Sequence, residues 1–399
     1  MFTLHHHRCC GLVIVCLLTS TDLTMAAEGT TQMELRLTGG YSTNADVAQG
    51  GRRSGVVKQE FSLAHERAKD DHAFGFALRG SLETFTQARD MDEREIEAKA
   101  IFARGTNTAK ATLNLTGYVK EDGGKARMSP SALLEVDVLR GSTSFGLGLG
   151  LRPVFFRDMD GTHFDLRDQA RDYIAFDGEI SIRHNFAPSF EMGPILVARR
   201  QEPLAEVDFY GLERGNTMIY AGWGFSYNRG KFTLEAEGGY AWRRYDEPLY
   251  GSENFWSVEA KAQYKLSDKT ELLLNVDTHV DDEPILVFKD TLVRSVGAGI
   301  SHNFTPKFSA TLLYAAEWST FWGTTLKSLT HTAEGIAEYK ITPDLALQLD
   351  VTYEYADDTL LAAAADNFKI LGGVVLRNQG YKKDDAQGKL SAVSPKARH

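Results

Sequence analysis

Past residue 27 this chain has no cysteine: Cys9, Cys10 and Cys16 are its only three. Disulfide scaffolds, thiolate metal sites and cysteine nucleophiles are thereby excluded downstream of that point. Long apolar runs are missing too. No stretch of about 18 apolar residues occurs, so no helical span is expected. Positive charge is not in excess: Lys and Arg number 44 against 54 Asp and Glu, a formal net charge of −10. That balance argues against a nucleic-acid partner. Proline is sparse, 10 residues in 399, and no shift in composition marks a linker. A soluble chain of this length would ordinarily split into two or three domains.

What is present begins with a secretory signal. Arg8 gives its positive end, 11–18 its apolar core, and Ala26 and Ala27 small residues for cleavage. The core is too short to cross a bilayer as a helix. Cys16 follows Val13-Ile14-Val15, with no small residue before it, which does not suit a lipoprotein signal. Arg8 and Asp22 cancel, so the remainder keeps the charge of −10. The expected division is a signal peptide over 1–27, one domain over 28–378, and a polar periplasmic tail over 379–399.

That domain is organised by turns. His184-Asn185-Phe186-Ala187-Pro188-Ser189-Phe190 and His302-Asn303-Phe304-Thr305-Pro306-Lys307-Phe308 spell nearly the same word. Looser copies are Tyr264-Lys265-Leu266-Ser267-Asp268-Lys269 and Tyr339-Lys340-Ile341-Thr342-Pro343-Asp344. Pro and small polar residues preset turn dihedrals, and alternating apolar and polar residues flank each copy. Turn centres are expected at Asp70, Asn107, Ser142, Pro188, Arg229, Asp268, Pro306 and Pro343. Each repeat holds one hairpin and one longer connection. Eight turns give sixteen strands. Adding 33–41 before the first and 368–377 after the last makes eighteen, with sixteen as the alternative. A bulge is expected at Gly193-Pro194, because proline cannot donate to a ladder.

The strand faces decide what surrounds the sheet. Phe232, Leu234, Ala236, Gly238, Tyr240 and Trp242 share one face; Thr233, Glu235, Glu237, Gly239, Ala241 and Arg243 share the other. The stretches 256–266 and 345–355 repeat the pattern. A soluble β-sandwich alternates as well. Its strands, however, run about 5–6 residues, whereas a tilted membrane strand needs about 9–11. Aromatic residues also gather at both strand ends: Phe186, Tyr264, Phe304 and Tyr339 near the short turns, and Tyr240, Trp242, Trp256, Trp318, Tyr353 and Tyr355 near the long loops. Two such girdles mark two membrane interfaces. Turning 232–243 inside out would present Glu235, Glu237 and Arg243 to lipid, at about 2–4 kcal/mol for an Arg at mid-membrane and somewhat less for each Glu. The expected fold is all-β: a closed antiparallel up-and-down transmembrane barrel. Phe186, Pro188, Phe304, Pro306 and Pro343 then belong to its periplasmic turns.

The opening Gly40-Tyr41-Ser42-Thr43-Asn44, its following polar loop, and the repeated aromatic–Lys/Asn–Leu/Ile/Phe–Ser/Thr–Pro/Asp turns are similar to those of Gram-negative outer-membrane barrels. More narrowly, most of the chain resembles the putative beta-barrel porin family. The resemblance implies an outer-membrane location, with barrel-insertion machinery and outer-membrane lipid as partners; it supplies no substrate. One departure is that the last strand is followed by a hydrophilic tail ending in His399, where many such barrels end on an aromatic residue.

A barrel of this width leaves an aqueous channel unless plugged. Nine to twelve residues beyond each turn, Arg79, Arg152, Arg199 and Arg243 point inward from the first two-thirds of the barrel. Asp277, Glu317 and Glu354 do so from the last third. The expectation is a constriction with arginines on one wall and carboxylates on the other, whose transverse field orients dipolar solutes. The competing reading is that these charges are solvated or paired locally. Alternate glycines at 146, 148 and 150 leave a bare lumen wall, into which loop 155–171 has room to fold. Asp158-Met159-Asp160-Gly161 in that loop lacks the full spacing of a calcium loop, and neither metal nor cofactor is expected. The histidines are scattered, without a nucleophile beside them, so an enzyme is not expected. The reading is a passive porin-like channel for small hydrophilic solutes. The alternative is a structural or accessory barrel for adhesion, assembly or polysaccharide export. Oligomeric state is open.

Overall fold

The computed structural model describes residues 30–45, 51–69, 71–106, 108–122, 125–158, 172–207, 211–281, 290–358 and 363–378. The expected signal peptide (1–27) and polar tail (379–399) lie outside these residues. Nineteen strand segments run through them: β1 (Thr30–Ser42), β2 (Ser54–Lys69), β3 (His72–Phe85), β4 (Glu93–Gly105), β5 (Ala109–Asp122), β6 (Lys125–Met128), β7 (Ser131–Arg140), β8 (Thr143–Asp158), β9 (Tyr173–Ala187) and β10 (Phe190–Pro203). The second half holds β11 (Asn216–Arg229), β12 (Phe232–Tyr245), β13 (Ser252–Lys265), β14 (Thr270–Asp281), β15 (Thr291–Asn303), β16 (Phe308–Phe321), β17 (Lys327–Lys340), β18 (Leu345–Asp358) and β19 (Ala363–Arg377).

β6 and β7 are one stave of the wall. Both pair with β5 on one side and with β8 on the other. Only Ser129-Pro130 separates them, and Ser129 N still donates to Tyr118 O at 2.8 Å. Proline has no N–H to give, so the ladder is interrupted there. Counting this pair once gives eighteen staves, all antiparallel. β1 pairs with both β2 and β19, which closes the ring. The fold is an eighteen-stranded up-and-down barrel. Closure leaves no bare edge and satisfies backbone groups where no water can.

The lipid face follows the alternation. On β8, Phe145, Leu147, Leu149 and Leu151 are exposed, while Gly146, Gly148 and Gly150 turn inward. Phe186, Tyr264, Phe304 and Tyr339 ring the short-turn rim; Trp242, Trp256, Trp318 and Tyr353 ring the other, all exposed.

Six of the eight expected turn positions, Ser142, Pro188, Arg229, Asp268, Pro306 and Pro343, fall where two paired strands are joined, while Asp70 and Asn107 lie outside the described residues; the turn chemistry is legible. In 266–269, 304–307 and 341–344 a hydroxyl supports the chain. Ser267 Oγ accepts from Lys269 N and Thr270 N, Thr305 Oγ1 from Lys307 N and Phe308 N, and Thr342 Oγ1 from Asp344 N and Leu345 N, all at 3.0–3.3 Å. Side-chain hydroxyls stabilise tight turns in this way. The copy at 184–190 has Ala187 where Thr305 stands. Lacking the hydroxyl, it closes through Pro188 and Ser189 alone, with β9 running on to Ala187. The two near-identical words therefore build different hairpins. The expected bulge moves as well: the register shift sits at Phe190/Glu191, beside this turn, and not at Gly193-Pro194. Gly193 instead permits close approach, since a Cβ there would collide with the Ile182 carbonyl. Two of the two-residue hairpins turn at Gly141 and Gly230, both at φ +63°, where other residues are strained.

Candidate functional site

The inward face is dense with ion pairs. Around the closing seam Arg377 forks onto Glu338 at 2.8 and 3.1 Å and reaches Glu34 at 2.7 Å. Arg36 joins Glu34 at 3.0 Å and Glu60 at 3.1 Å, Lys58 joins Glu60 at 3.0 Å, and Lys369 joins Glu83 at 2.9 Å. Alternation put these charges inside; cross-strand register then set opposite signs side by side. On the far side, the inward glycines of β8 lie between carboxylates. Glu135 and Asp137 stand opposite Gly148 and Gly146 on β7, and Asp177 and Glu179 stand opposite Gly150 and Gly148 on β9. The wall there is low in side-chain bulk and strongly acidic.

Register places the expected site residues. Arg199 of β10 faces Met218 of β11, which faces Arg243 of β12, so these two arginines share one row. Arg152 of β8 faces Ala175, which faces Gln201, two residues from Arg199. Arg79 of β3 lies between Ser62 and Glu97. Asp277 faces Ser295, which faces Glu317, a second row across β14, β15 and β16. Glu354 of β18 lies opposite Thr332 and Asn367, at nearly the same height. The arginines thus occupy the β3–β12 sector and the three carboxylates the β14–β18 sector. Near partners occur as well: Arg199 Nε donates to Asp177, and His279 Nδ1 meets Asp277 on its own strand.

Arg243 has a different setting. Only 1% of its side chain is accessible, and it pairs with Asp290 at 2.9 Å and Gln201 at 3.0 Å. Tyr245 O–H also donates to Asp290, and Asn216 Nδ2 to Gln201. Asp290 immediately precedes β15, yet it meets the inner face of β12, with β13 and β14 between them in the wall. The reason is visible in the ladders. β14 pairs with β15 along its whole length, from Thr270↔His302 to Asp281↔Thr291, but with β13 only from Ala260↔Val276 to Lys265↔Glu271. Beyond that ladder Ser257 Oγ donates to Thr278 O at 3.2 Å. The outer end of the β14–β15 hairpin parts from β13 and leans over the inner wall. Leu292 and Val280 then pack with Ile195, Tyr220, Phe255 and Trp322, and Trp322 N donates to Asp290 O at 3.0 Å. An apolar cluster sits inside the barrel because this hairpin end covers it. Asp290, Trp322 and Gln201 were not legible as site residues. The stretch 290–301 alternates less cleanly than its neighbours.

β8 runs on to Asp158, so 155–158 belong to the strand and not to the expected loop. The stretch 159–171 lies outside the described residues, and with it the loop-insertion and calcium readings. Among the described residues no group of three or more His, Asp or Glu side chains is placed to hold a metal ion.

A sequence-family model described as Putative beta-barrel porin 2 matches residues 30–378, the whole barrel. The chain belongs to that family. This beta-barrel porin is an outer-membrane protein. No protein of curated function matches it in sequence. Among solved structures it is similar to Pseudomonas aeruginosa OccK2 (OpdF) in complex with glucuronate, at 12% identity and TM-score 0.50, covering 88% of this chain and 98% of that one. Acinetobacter baumannii OccAB4 gives 10% identity and TM-score 0.47 over 88% and 98%. At such identities the likeness is one of fold.

Proposed function

We propose that this porin is a passive channel for small hydrophilic solutes. The observation that carries the reading is the closed eighteen-stave ring with a charged inward face. A sealed structural barrel has no use for rows of arginine and carboxylate lining its interior, and burying them dry would be costly. Family membership supports the same reading. The constriction is formed where Arg199 and the Asp277–Ser295–Glu317 row stand at similar heights in different sectors, with the inward-leaning β14–β15 end, held over the wall by the buried Arg243–Asp290 pair, between them. Opposite charges in separate sectors make a field across the pore. Solutes with carboxylate and hydroxyl groups, of the size of the glucuronate bound to OccK2, match both kinds of wall.

The test is liposome swelling with refolded protein and sugars of graded size. Swelling that stops above a definite size is expected. No swelling with any sugar would favour an accessory barrel for adhesion, assembly or export. Selectivity provides the second readout. Arg199→Gln should shift the reversal potential toward cations in planar bilayers, and an unchanged potential would remove Arg199 from the constriction.

A further inference from the structure

The short-turn rim carries a charge opposite to that of the chain as a whole. From the β11–β12 turn to the β17–β18 turn, Arg229, Lys231, Lys265, Lys269, Lys307 and Lys340 are all exposed in or beside the turns. Asp268 and Asp344 are the carboxylates within the turns themselves; Glu271 and Glu338 point inward and bond to Gln263 and Arg377, and Lys265 and Lys340 share that inward face, which leaves Arg229, Lys231, Lys269 and Lys307 for the outer side. These cations sit on contiguous turns. Lys265 N donates to Lys231 O, Asn303 N to Lys269 O, and Lys340 N to Lys307 O, each at 2.8 Å. β1 begins and β19 ends at this rim, which is the periplasmic one by its short turns.

A second observation lies on the outward face of the same rim. His302 stands directly opposite Thr270, with Nδ1 at 2.8 Å from Oγ1, and its ring meets Phe304 edge-on at 4.5 Å. The same arrangement recurs at Thr143–His184, 2.9 Å, with Phe186 at 4.7 Å, and Thr31–His65 repeats the pair at 2.9 Å. In each the threonine engages Nδ1 and fixes the ring, which leaves Nε2 as the atom available to an outside acceptor. His302 shares its face with Ile300 and Phe304, which are exposed to lipid.

We propose that the periplasmic arc from the β11–β12 turn to the β17–β18 turn binds the phosphodiester headgroup of anionic phospholipid. His302, held by Thr270, contacts the phosphate, and the lysines on the adjoining turns neutralise it. The occupant is a lipid and not a free anion, because the imidazole is continuous with the apolar face that takes the acyl chains. This inference rests on the outer-membrane location and is independent of transport.

The experiment uses spin-labelled phosphatidylglycerol and phosphatidylcholine of matched chains around the refolded full barrel, scoring only protein that keeps its heat-dependent gel mobility. Phosphatidylglycerol should be enriched several-fold over phosphatidylcholine. Arg229→Gln/Lys231→Gln/Lys269→Gln/Lys307→Gln should abolish the enrichment and His302→Ala should reduce it. Lys110→Gln/Arg140→Gln, elsewhere on the rim, should leave it unchanged. If the quadruple variant does not refold, Lys269→Gln/Lys307→Gln carries the same test. Equal association of the two lipids, or equal loss in the Lys110/Arg140 control, overturns the site. Displacement of the lipid by millimolar inorganic phosphate, or by soluble anionic cell-wall fragments, overturns the lipid as its occupant.

Discussion

Arg243 is the residue on which the interior arrangement turns. A guanidinium with 1% of its side chain accessible is tolerated because Asp290 and Gln201 meet it. Asp290→Ala strips that cation of its carboxylate, and breaking a buried pair in this way costs about 3–5 kcal/mol. The β14–β15 end should then leave the inner wall, with a larger single-channel conductance and a lower unfolding temperature; unchanged conductance would mean that this hairpin end does not narrow the pore. Asp246 is a milder case. Its carboxyl, in the β12–β13 loop, is held below the ordinary aspartate range chiefly by the hydrogen bonds from Arg200 at 2.6–2.8 Å. A depressed carboxyl stabilises the fold above its unfolded value and loses that contribution as pH falls through the folded one. The loop should therefore stay anchored at neutral pH and loosen only below about pH 4. Open-channel noise recorded from pH 6 to pH 3 should show the step, and Asp246→Asn should remove it.

At the scale of strands and turns, alternation and turn chemistry made the fold legible. Leu147, Leu149 and Leu151 against three glycines, or Trp256 and Val258 against Glu259 and Lys261, leave one face for lipid and one for water. Hydroxyls at Ser267, Thr305 and Thr342 stop the chain where the turns fall. Three features escaped, two through a single local residue and one through neighbours distant in sequence. The break at Ser129-Pro130 splits a stave that reads as one strand. Ala187 for Thr305 changes a hairpin without changing the motif around it. The short β13–β14 ladder has no local sign, since Ser252–Gln263 alternates as well as any strand. The rows of arginine and carboxylate were legible by counting from the turns, whereas Asp290 sits in a loop and takes its role from β12. Rim aromatics act at this scale too. Phe186→Ala with Phe304→Ala should lower the yield of inserted barrel several-fold and leave conductance per channel unchanged. The reverse result would place the short turns on the wrong side of the membrane.

For the molecule as a whole, closure depends on few groups. β1 and β19 pair from Glu34↔Arg377 to Ser42↔Lys369, and Asn378 Oδ1 accepts from Met33 N at 3.0 Å just beyond. Arg377 bridges Glu34 of β1 and Glu338 of β17 across β18 and β19, with 9% of its side chain accessible. Arg377→Gln strips Glu338 of its forked guanidinium and leaves Glu34 to Arg36 alone, and should lower the heat-modifiability midpoint more than any exposed rim lysine substituted the same way. The ends joined there are 345 residues apart along the chain. Loop-closure entropy grows only with the logarithm of length, about 0.6 kcal/mol for each doubling. A ring of this circumference is thus nearly as favourable, once formed, as one half its size. The difference falls on time. Every earlier hairpin can zip as soon as its turn exists, but the last seam must wait for the final strand, and until then two long bare edges face the periplasm.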